Sequence, residues 1–176
     1  METITRPKFG VLGAGHGGTA MAGHLSLMEF DVSLYNRGED RIRSVKAAGG
    51  VEIIADCPGN VPNGFANLDT VTTDPAEAVA GRDILMVVVP ATAHRFIAEQ
   101  IAPHLTDGQF IILNPGRTGG ALEVHKVIRD CGCKADIVVA EAQTFLYASR
   151  SINPAQTKIF RIKNSIPVAA LPAHRT

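Results

Sequence analysis

The 176-residue sequence lacks the features that mark several large classes of protein. Lysine plus arginine and aspartate plus glutamate number 17 each, so there is no basic excess to attract nucleic acids or anionic membranes. No run approaches the roughly 18 apolar residues of a membrane span, and the N-terminal METITRPKFG has no apolar signal core. We therefore expect no nucleic-acid partner, no membrane association and a cytoplasmic location.

Cysteine is also scarce, with Cys57, Cys131 and Cys133 the three examples. An odd number without a framework spacing fits a reducing compartment and argues against a disulfide-stapled fold. The CGC at 131–133 lacks the C-x2-C spacing of zinc knuckles, and no histidine follows at ligand spacing. We expect plain thiols and no metal site.

What the chain does have is an alternation of apolar runs and helix-like segments. This alternation favours a doubly wound α/β sheet, mostly parallel, over a barrel or an α+β layout. Strands are predicted at 8–14, 31–35, 83–90, 109–114 and 135–142, and helices at 18–30, 39–49, 74–81, 92–105 and 120–132. Further extended segments are predicted at 51–56, 68–74, 157–164 and 166–173. The length predicts one domain over residues 1–176.

The first strand leads into GAGHGG, which contains the pattern G-x-G-x-x-G. Gly13 suits a tight turn, Gly15 suits close approach of the backbone to a pyrophosphate, and Gly18 suits close packing of helix on strand. Strand before, helix after and a second strand at the expected distance indicate a Rossmann-type dinucleotide site. For the side chain of His16, a phosphate contact and an exposed position without a role remain open. The predicted loop contacts are Gly13, Ala14, Gly15, His16, Gly17 and Gly18.

The tip of the second predicted strand has an amide where a ribose-binding carboxylate is expected. Asn36 can still bond a ribose hydroxyl, but it does not repel a 2′-phosphate as an acid would. Arg37 could pair with that phosphate, and Arg41 could add a second charge. The alternative is that both arginines are solvated near Glu39 and Asp40. We expect NADP to be preferred and NAD to be accepted.

Ligands in such sheets lie across the carboxyl ends of the strands. Val89, Pro90 and Ala91 follow the fourth predicted strand of the sheet, and Asn114 with Pro115 forms a rigid turn after the fifth. We expect these residues to contact the cofactor, with Asn114 and Pro115 as a wall for its nicotinamide half.

Polar side chains follow the last strand of this set, where Glu141 and Thr144 could orient a substrate or cap a helix. His94 is expected to be an ordinary surface histidine on an amphipathic helix. Spacing supports no Ser-His-Asp or Cys-His arrangement and no pair of carboxylates for glycoside chemistry.

Four segments together resemble the N-terminal domain of the opine dehydrogenases, the group that includes octopine, nopaline and carboxyethyl-norvaline dehydrogenases. They are VLGAGHGG, VVVPATAH, ILNPGRTGGALE and AEAQTFLYASR, within a resemblance that runs from about Lys8 to the VAALPA segment. NPGRTGGALE is the most specific of them. The glycine loop alone would not separate this group from glycerol-3-phosphate dehydrogenases or ketopantoate reductases.

The resemblance implies an enzyme that reductively condenses an amino acid with an α-keto acid, using NADH or NADPH. It also implies a second, helical domain that carries a catalytic His-Asp pair. We expect that domain to be absent from this chain, so no catalytic residue is assigned. By resemblance, Glu141, Gln143 and Thr144 face the amino-acid substrate.

Two further readings remain open. The chain could be a stand-alone nucleotide-binding or redox-sensing module, or the cofactor domain of a glycerol-3-phosphate dehydrogenase-like or ketopantoate reductase-like enzyme. An uncovered apolar face would favour self-association into a homo-oligomer or docking of the helical domain.

Overall fold

The computed structural model describes residues 6–57 and 61–175. The first five residues of the N-terminal segment discussed above lie outside this description. Over the described residues the elements are, in chain order, β1 (Phe9–Leu12), α1 (His16–Leu27), β2 (Val32–Tyr35), α2 (Arg43–Ala48), β3 (Gly50–Ala55), β4 (Gly64–Asn67), β5 (Thr70–Thr72), α3 (Pro75–Val79), β6 (Ile84–Val87), α4 (His94–Ile101), β7 (Phe110–Leu113), α5 (Gly120–Asp130), β8 (Val138–Ala142), β9 (Tyr147–Asn153), β10 (Gln156–Ile162) and β11 (Val168–Leu171). Short 3-10 turns lie at Glu39–Arg41, Ala91–Ala93, Ala102–His104 and Ala173–Arg175.

A seven-stranded sheet organises the chain, in the order β11-β8-β7-β6-β1-β2-β5. Every neighbouring pair is parallel except β8 with β11, which is antiparallel. Both β1 and β2 are buried along their whole length, as strands covered on both faces must be. The predicted Rossmann-type, mostly parallel α/β fold is confirmed.

One face of this sheet is covered by α3, α4 and α5, which share a core with Leu85, Ile111 and Leu113. The other face is covered by α1 and α2 over β1 and β2. This second face is less complete over β6 and β7, where Ile84 and Met86 are only partly buried. The prediction that 83–90 is buried on both faces is therefore wrong in part. Leu85 and Val87 are buried, but the other apolar side chains of the run are partly buried and Pro90 is exposed.

A second sheet, which the sequence did not predict, packs against the outer side of α1. It has four strands in the order β4-β3-β10-β9, and β3 pairs in parallel with β10. The packing is close, because a methyl group on Gly23 of α1 would overlap the side chain of Ile53 on β3. The extended segments at 51–56 and 157–164 thus lie in this sheet, whereas 166–173 supplies β11 of the larger one.

Local signals place the helix ends as expected in two cases. Asp74 caps α3, with its side chain accepting from the backbone N–H of Ala76 at 2.8 Å. Gly49 follows α2 with φ of 74°, the left-handed conformation of a glycine stop. Among the described residues, none of the helices is both long and apolar enough to cross a bilayer.

Candidate cofactor and substrate site

The glycine loop joins β1 to α1 at the carboxyl edge of the larger sheet. Gly13 has φ of 118° and lies against the backbone of Val88, so a side chain there would be strained and would clash. A methyl group on Gly18 would overlap the carbonyl oxygen of Gly13. Both glycines are therefore required by the chain itself, independently of any ligand.

Gly15 is different, because neither packing nor conformation explains it. It is the N-cap of α1 with φ of −77°, which any residue adopts, and a Cβ placed on it meets no described atom within 4 Å. The open space lies beside the N–H groups of the first helical turn, which have no partner within a helix. A missing side chain at this point fits the close approach of a phosphate to the backbone.

The remaining loop residues contact protein. A Cβ on Gly17 would come 2.6 Å from the ring of Phe145, so its clearance serves that ring. His16 Nδ1 accepts from the backbone N–H of Ser151 at 3.0 Å, which ties the loop to β9. Sequence analysis left two possibilities for His16, a phosphate contact and a side chain without a role. It did not predict this hydrogen bond to β9.

A cavity of about 480 Å³, the β2-side cavity, opens beside the loop at the carboxyl ends of β1, β2 and β6. It is lined by Gly13, Gly15, Tyr35, Asn36, Arg37, Arg41, Val88, Val89, Pro90, Thr92, Ala93, Phe96 and Ile97. The structure thus brings together the loop, the β2 tip and the turn after β6. The 3-10 turn that begins at Ala91 forms part of the wall through Thr92 and Ala93.

The β2 tip is arranged by its own hydrogen bonds. Asn36 Oδ1 accepts from the backbone N–H of Ala14 at 3.3 Å, and its Nδ2 donates to the carbonyl of Gly38 at 2.8 Å. The amide therefore joins the strand tip to the glycine loop. A carboxylate at this position could not make the second of these bonds, because it has no donor when ionised.

Arg37 and Arg41 line the cavity without an ion pair among the described residues. Arg37 lies over the ring of Phe96 at 5.8 Å from the guanidinium carbon to the ring centroid. Asp40, which could have neutralised either arginine, pairs with Arg43 at 3.0 Å. Sequence reasoning missed Phe96; its place four residues after Thr92, one helical turn away, was the available signal.

A second cavity of about 580 Å³, the β8-side cavity, lies at the same edge beyond β7 and β8. It is lined by Arg117, Thr118, Gly119, Glu141, Gln143, Pro167, Val168 and Ala169. Arg117 has φ of 59°, a left-handed conformation that is costly for a residue with a side chain and that clusters at functional sites. The sequence analysis assigned no role to Arg117.

Glu141 borders this cavity but is already hydrogen-bonded. Its Oε2 accepts from the backbone N–H of Ala121 at 2.8 Å, so it caps the first turn of α5. A methyl group on Gly116 would overlap the Glu141 side chain, so the loop is closely packed on this residue. Sequence analysis left two roles open for Glu141, orienting a substrate and capping a helix. The structure shows the helix cap.

Gln143 lines the β8-side cavity, whereas three other residues predicted at this end line neither cavity. Asn114 is 5% exposed, and its Nδ2 donates to the carbonyl of Ile112 at 2.8 Å. A cis peptide bond joins Asn114 to Pro115. Thr144 Oγ1 accepts from Lys163 Nζ at 3.0 Å. Neither Asn114, Pro115 nor Thr144 is among the described residues that line the two cavities.

The expectation that His94 is a surface histidine is wrong. The side chain is 1% exposed between α4 and α5, and neither ring nitrogen has a hydrogen-bond partner in the described structure. Burial lowers the pKa of His94, and the carboxylates of Glu123 and Glu141 raise it to a smaller extent. The ring fits because Gly120, in contact with it, has no side chain.

Within the described residues, no cluster of histidine, cysteine, aspartate and glutamate has a metal-binding arrangement. The three cysteines are free thiols, so the structure joins none of them to another.

A glycine loop at a helix start, an arginine-bearing β2 tip and a cavity between them define a dinucleotide-binding domain. The protein family described as the NAD binding domain of 6-phosphogluconate dehydrogenase matches residues 8–127, and the chain belongs to that family.

The resemblance to the opine dehydrogenases is also confirmed. Opine dehydrogenase of Arthrobacter sp. (strain 1C) is 39% identical over 170 residues, which cover 97% of this chain and 46% of that protein. Glycerol-3-phosphate dehydrogenase [NAD(P)+] of Thermoanaerobacter sp. (strain X514) is 31% identical over 107 residues, which cover 61% of this chain and 30% of that protein.

Among solved structures, octopine dehydrogenase in complex with NADH and agmatine superimposes with a TM-score of 0.83 at 20% identity. The match covers 94% of this chain and 42% of that one, and at this identity it shows the shared fold. The chain thus spans about half the length of the opine dehydrogenases it matches.

Proposed function

We propose that this chain is the cofactor-binding half of an NAD(P)-dependent oxidoreductase of the opine dehydrogenase type. The observation that carries the proposal is the 39% identity along 97% of the chain, which includes the NPGRTGGALE segment as well as the glycine loop. Glycerol-3-phosphate dehydrogenases are 31% identical over 61% of the chain or 28% identical over 93% of it. The higher identity of the opine dehydrogenase favours the opine type.

The proposed reaction joins an amino acid to an α-keto acid. The amine nitrogen bonds to the keto carbon as water leaves, and the imine carbon then accepts a hydride while its nitrogen takes up a proton from a donor. NAD(P)H supplies the hydride when bound. The residues of this chain bind and orient: the loop N–H groups hold the pyrophosphate, and the β2-side cavity holds the adenosine.

The cofactor is proposed to be NADP in preference, with NAD accepted. Asn36 is neutral and is fixed by Ala14 and Gly38, so no carboxylate repels a 2′-phosphate. Arg37 and Arg41 line the same cavity, and the nearby Asp40 pairs with Arg43. The guanidinium of Arg37, resting on Phe96, can pair with a phosphate through its planar fork.

Replacing Arg37 tests the cofactor preference. Arg37→Ala is expected to weaken NADPH binding about tenfold to a hundredfold, the effect of losing a hydrogen-bonded charge, and to change NADH binding less than about twofold. Arg161→Ala is the matched control, because Arg161 is exposed on β10 and lies outside the cavity lining. Titration by nicotinamide fluorescence measures both; equal loss for the two cofactors, or no loss, would remove Arg37 from 2′-phosphate recognition.

The β8-side cavity is proposed to accept the substrates. Gln143 offers an amide, and Arg117 offers a cation suited to a substrate carboxylate. Glu141 keeps its place in the cavity wall, with one carboxylate oxygen held by α5. Thr144 bonds Lys163 outside the lining, so we leave it out of the proposed contacts.

The amino-acid chemistry is tested on the full reading frame that contains this chain. Oxidation of NADPH that requires both an amino acid and an α-keto acid supports the opine type. Oxidation with dihydroxyacetone phosphate or ketopantoate alone would assign the chain to a related dehydrogenase. The proton donor is expected outside this chain, so the chain alone should bind cofactor and turn over poorly.

We also propose where the rest of such an enzyme would dock. The second face of the larger sheet is incompletely covered at β6 and β7, and Phe110 there is 39% exposed. Sedimentation of the chain alone should show self-association through this apolar surface; a monomer at all concentrations would contradict the proposal.

We propose a cytoplasmic location for this chain, because its three cysteines are free thiols and thiols persist in reducing compartments.

A further inference from the structure

His16 connects the glycine loop to the second sheet. It is the first residue of α1, and its Nδ1 accepts from the backbone N–H of Ser151 at 3.0 Å. Ser149 Oγ donates to the His16 carbonyl at 3.3 Å. Both serines lie on β9, the edge strand of its sheet, whose outward N–H groups have no neighbouring strand to bond. The histidine thus satisfies an edge donor and is held in place by it.

This bond fixes which ring nitrogen carries the hydrogen. A backbone N–H can only donate, so Nδ1 of His16 must be the unprotonated acceptor. The neutral ring then carries its hydrogen on Nε2. The Nε2–H group is therefore a hydrogen-bond donor, and the bond from β9 sets both the position and the tautomer of its ring.

His16 lines a third cavity, the hairpin-side cavity of about 210 Å³, between the glycine loop and the β9–β10 turn. Its lining also includes Ala14, Thr19, Asp40, Arg41, Ser151 and Pro154. Arg41 borders the β2-side cavity as well, so the two spaces adjoin at this arginine beside the loop. A donor and a cation thus flank the loop where the proposed cofactor carries its phosphates.

We propose that His16 is a cofactor-positioning residue whose Nε2–H donates to the pyrophosphate of the dinucleotide, with Ser151 of the second sheet setting the ring's tautomer. The proposal rests on the proposed cofactor function. It assigns the β9–β10 hairpin a part in cofactor binding, through the bond from Ser151 of β9 to His16 of the glycine loop. The pyrophosphate is common to NAD and NADP, so the contact should serve both.

Two substitutions separate the two nitrogens. Asparagine places its amide near the position of Nδ1 and can still accept from Ser151, but it does not reach the position of Nε2. Glutamine reaches the position of Nε2 with a donor. His16→Asn is expected to weaken both NADPH and NADH about tenfold, and His16→Gln to remain within about threefold of wild type.

Thermal unfolding without cofactor should reverse this order, with His16→Asn close to wild type and His16→Gln lower. Equal affinity in both variants, or a loss of affinity that follows the loss of stability, would overturn the proposal. A loss confined to NADPH would also overturn it, by assigning His16 to the 2′-phosphate. Failure of the wild-type chain to bind either cofactor is distinguishable, because it refutes the cofactor function before the variants are compared.

Discussion

The two cavities at the carboxyl edge of the larger sheet differ in how their polar groups are used. In the β2-side cavity, Arg37 and Arg41 have no ion pair among the described residues, and the nearby acid pairs elsewhere. At the β8-side end, Glu141 caps α5 and Asn114 bonds the carbonyl of Ile112. Both charged residues of the β2-side lining are thus free for a ligand, whereas at the β8 side the lining carboxylate is held by α5 and Arg117 is the cation left for a ligand.

This difference indicates a division of labour along the sheet. The β2 side combines three features that suit a phosphate-bearing nucleotide. They are the open space at Gly15, the neutral side chain of Asn36 and the two arginines of the cavity lining. The β8 side has Arg117 and Gln143 in its wall, where we propose that the substrates bind.

The largest expected effect concerns the framework of the β2 side. Gly18→Ala places a methyl group on the carbonyl oxygen of Gly13, so the helix must move from the strand. Overpacking of this kind should cost about 3 kcal/mol or more and lower the melting temperature by roughly 10 °C. Calorimetry of the chain without cofactor measures it. An unchanged melting temperature would mean that the loop is not rigidly preformed.

A smaller effect is expected on the β8 side. Glu141→Ala leaves the N–H of Ala121 without its acceptor and should cost about 2 kcal/mol of unfolding free energy. Glu141→Gln keeps an oxygen acceptor at the same position and should cost less than about 1 kcal/mol. Denaturant unfolding compares the two. If both variants are as stable as wild type, Glu141 is free for a substrate and the contrast between the two ends fails.

The smallest effect is a gain. His94→Leu removes two buried nitrogens that have no hydrogen-bond partner among the described residues, and should stabilise the chain by about 1 kcal/mol at pH 7. The folded pKa of His94 lies below its ordinary value of 6.5, so the unfolded chain binds the proton first and stability falls as pH falls through about 6.5. The variant should lose less stability over that range.

The same change at the exposed His104 is the control for His94 and should leave both quantities unchanged. His24, whose pKa burial also lowers, remains in the variant, so part of the pH dependence should persist. A destabilised His94→Leu chain would show that the ring makes a favourable interaction in its buried place.

The features predictable from sequence are those set by neighbouring residues. The glycine loop, the cap at Asp74 and the stop at Gly49 each depend on a few adjacent positions. The second sheet does not, because the paired residues of β3 and β10 are 104 positions apart and no hairpin signal joins the two strands. The burial of His94 likewise depends on the contact between α4 and α5 at Gly120. The sequence pattern of either helix alone does not predict that contact.

Gly15 offers the most direct test of the central claim, that the open space at the start of α1 exists for a dinucleotide. Gly15→Ser introduces a good N-cap residue at a position with no described atom within 4 Å of its Cβ. The melting temperature should stay equal or rise, while NADPH and NADH both bind more than about tenfold more weakly, because the side chain occupies the pyrophosphate's path. Wild-type affinity for both cofactors in a stably folded Gly15→Ser chain would contradict the account.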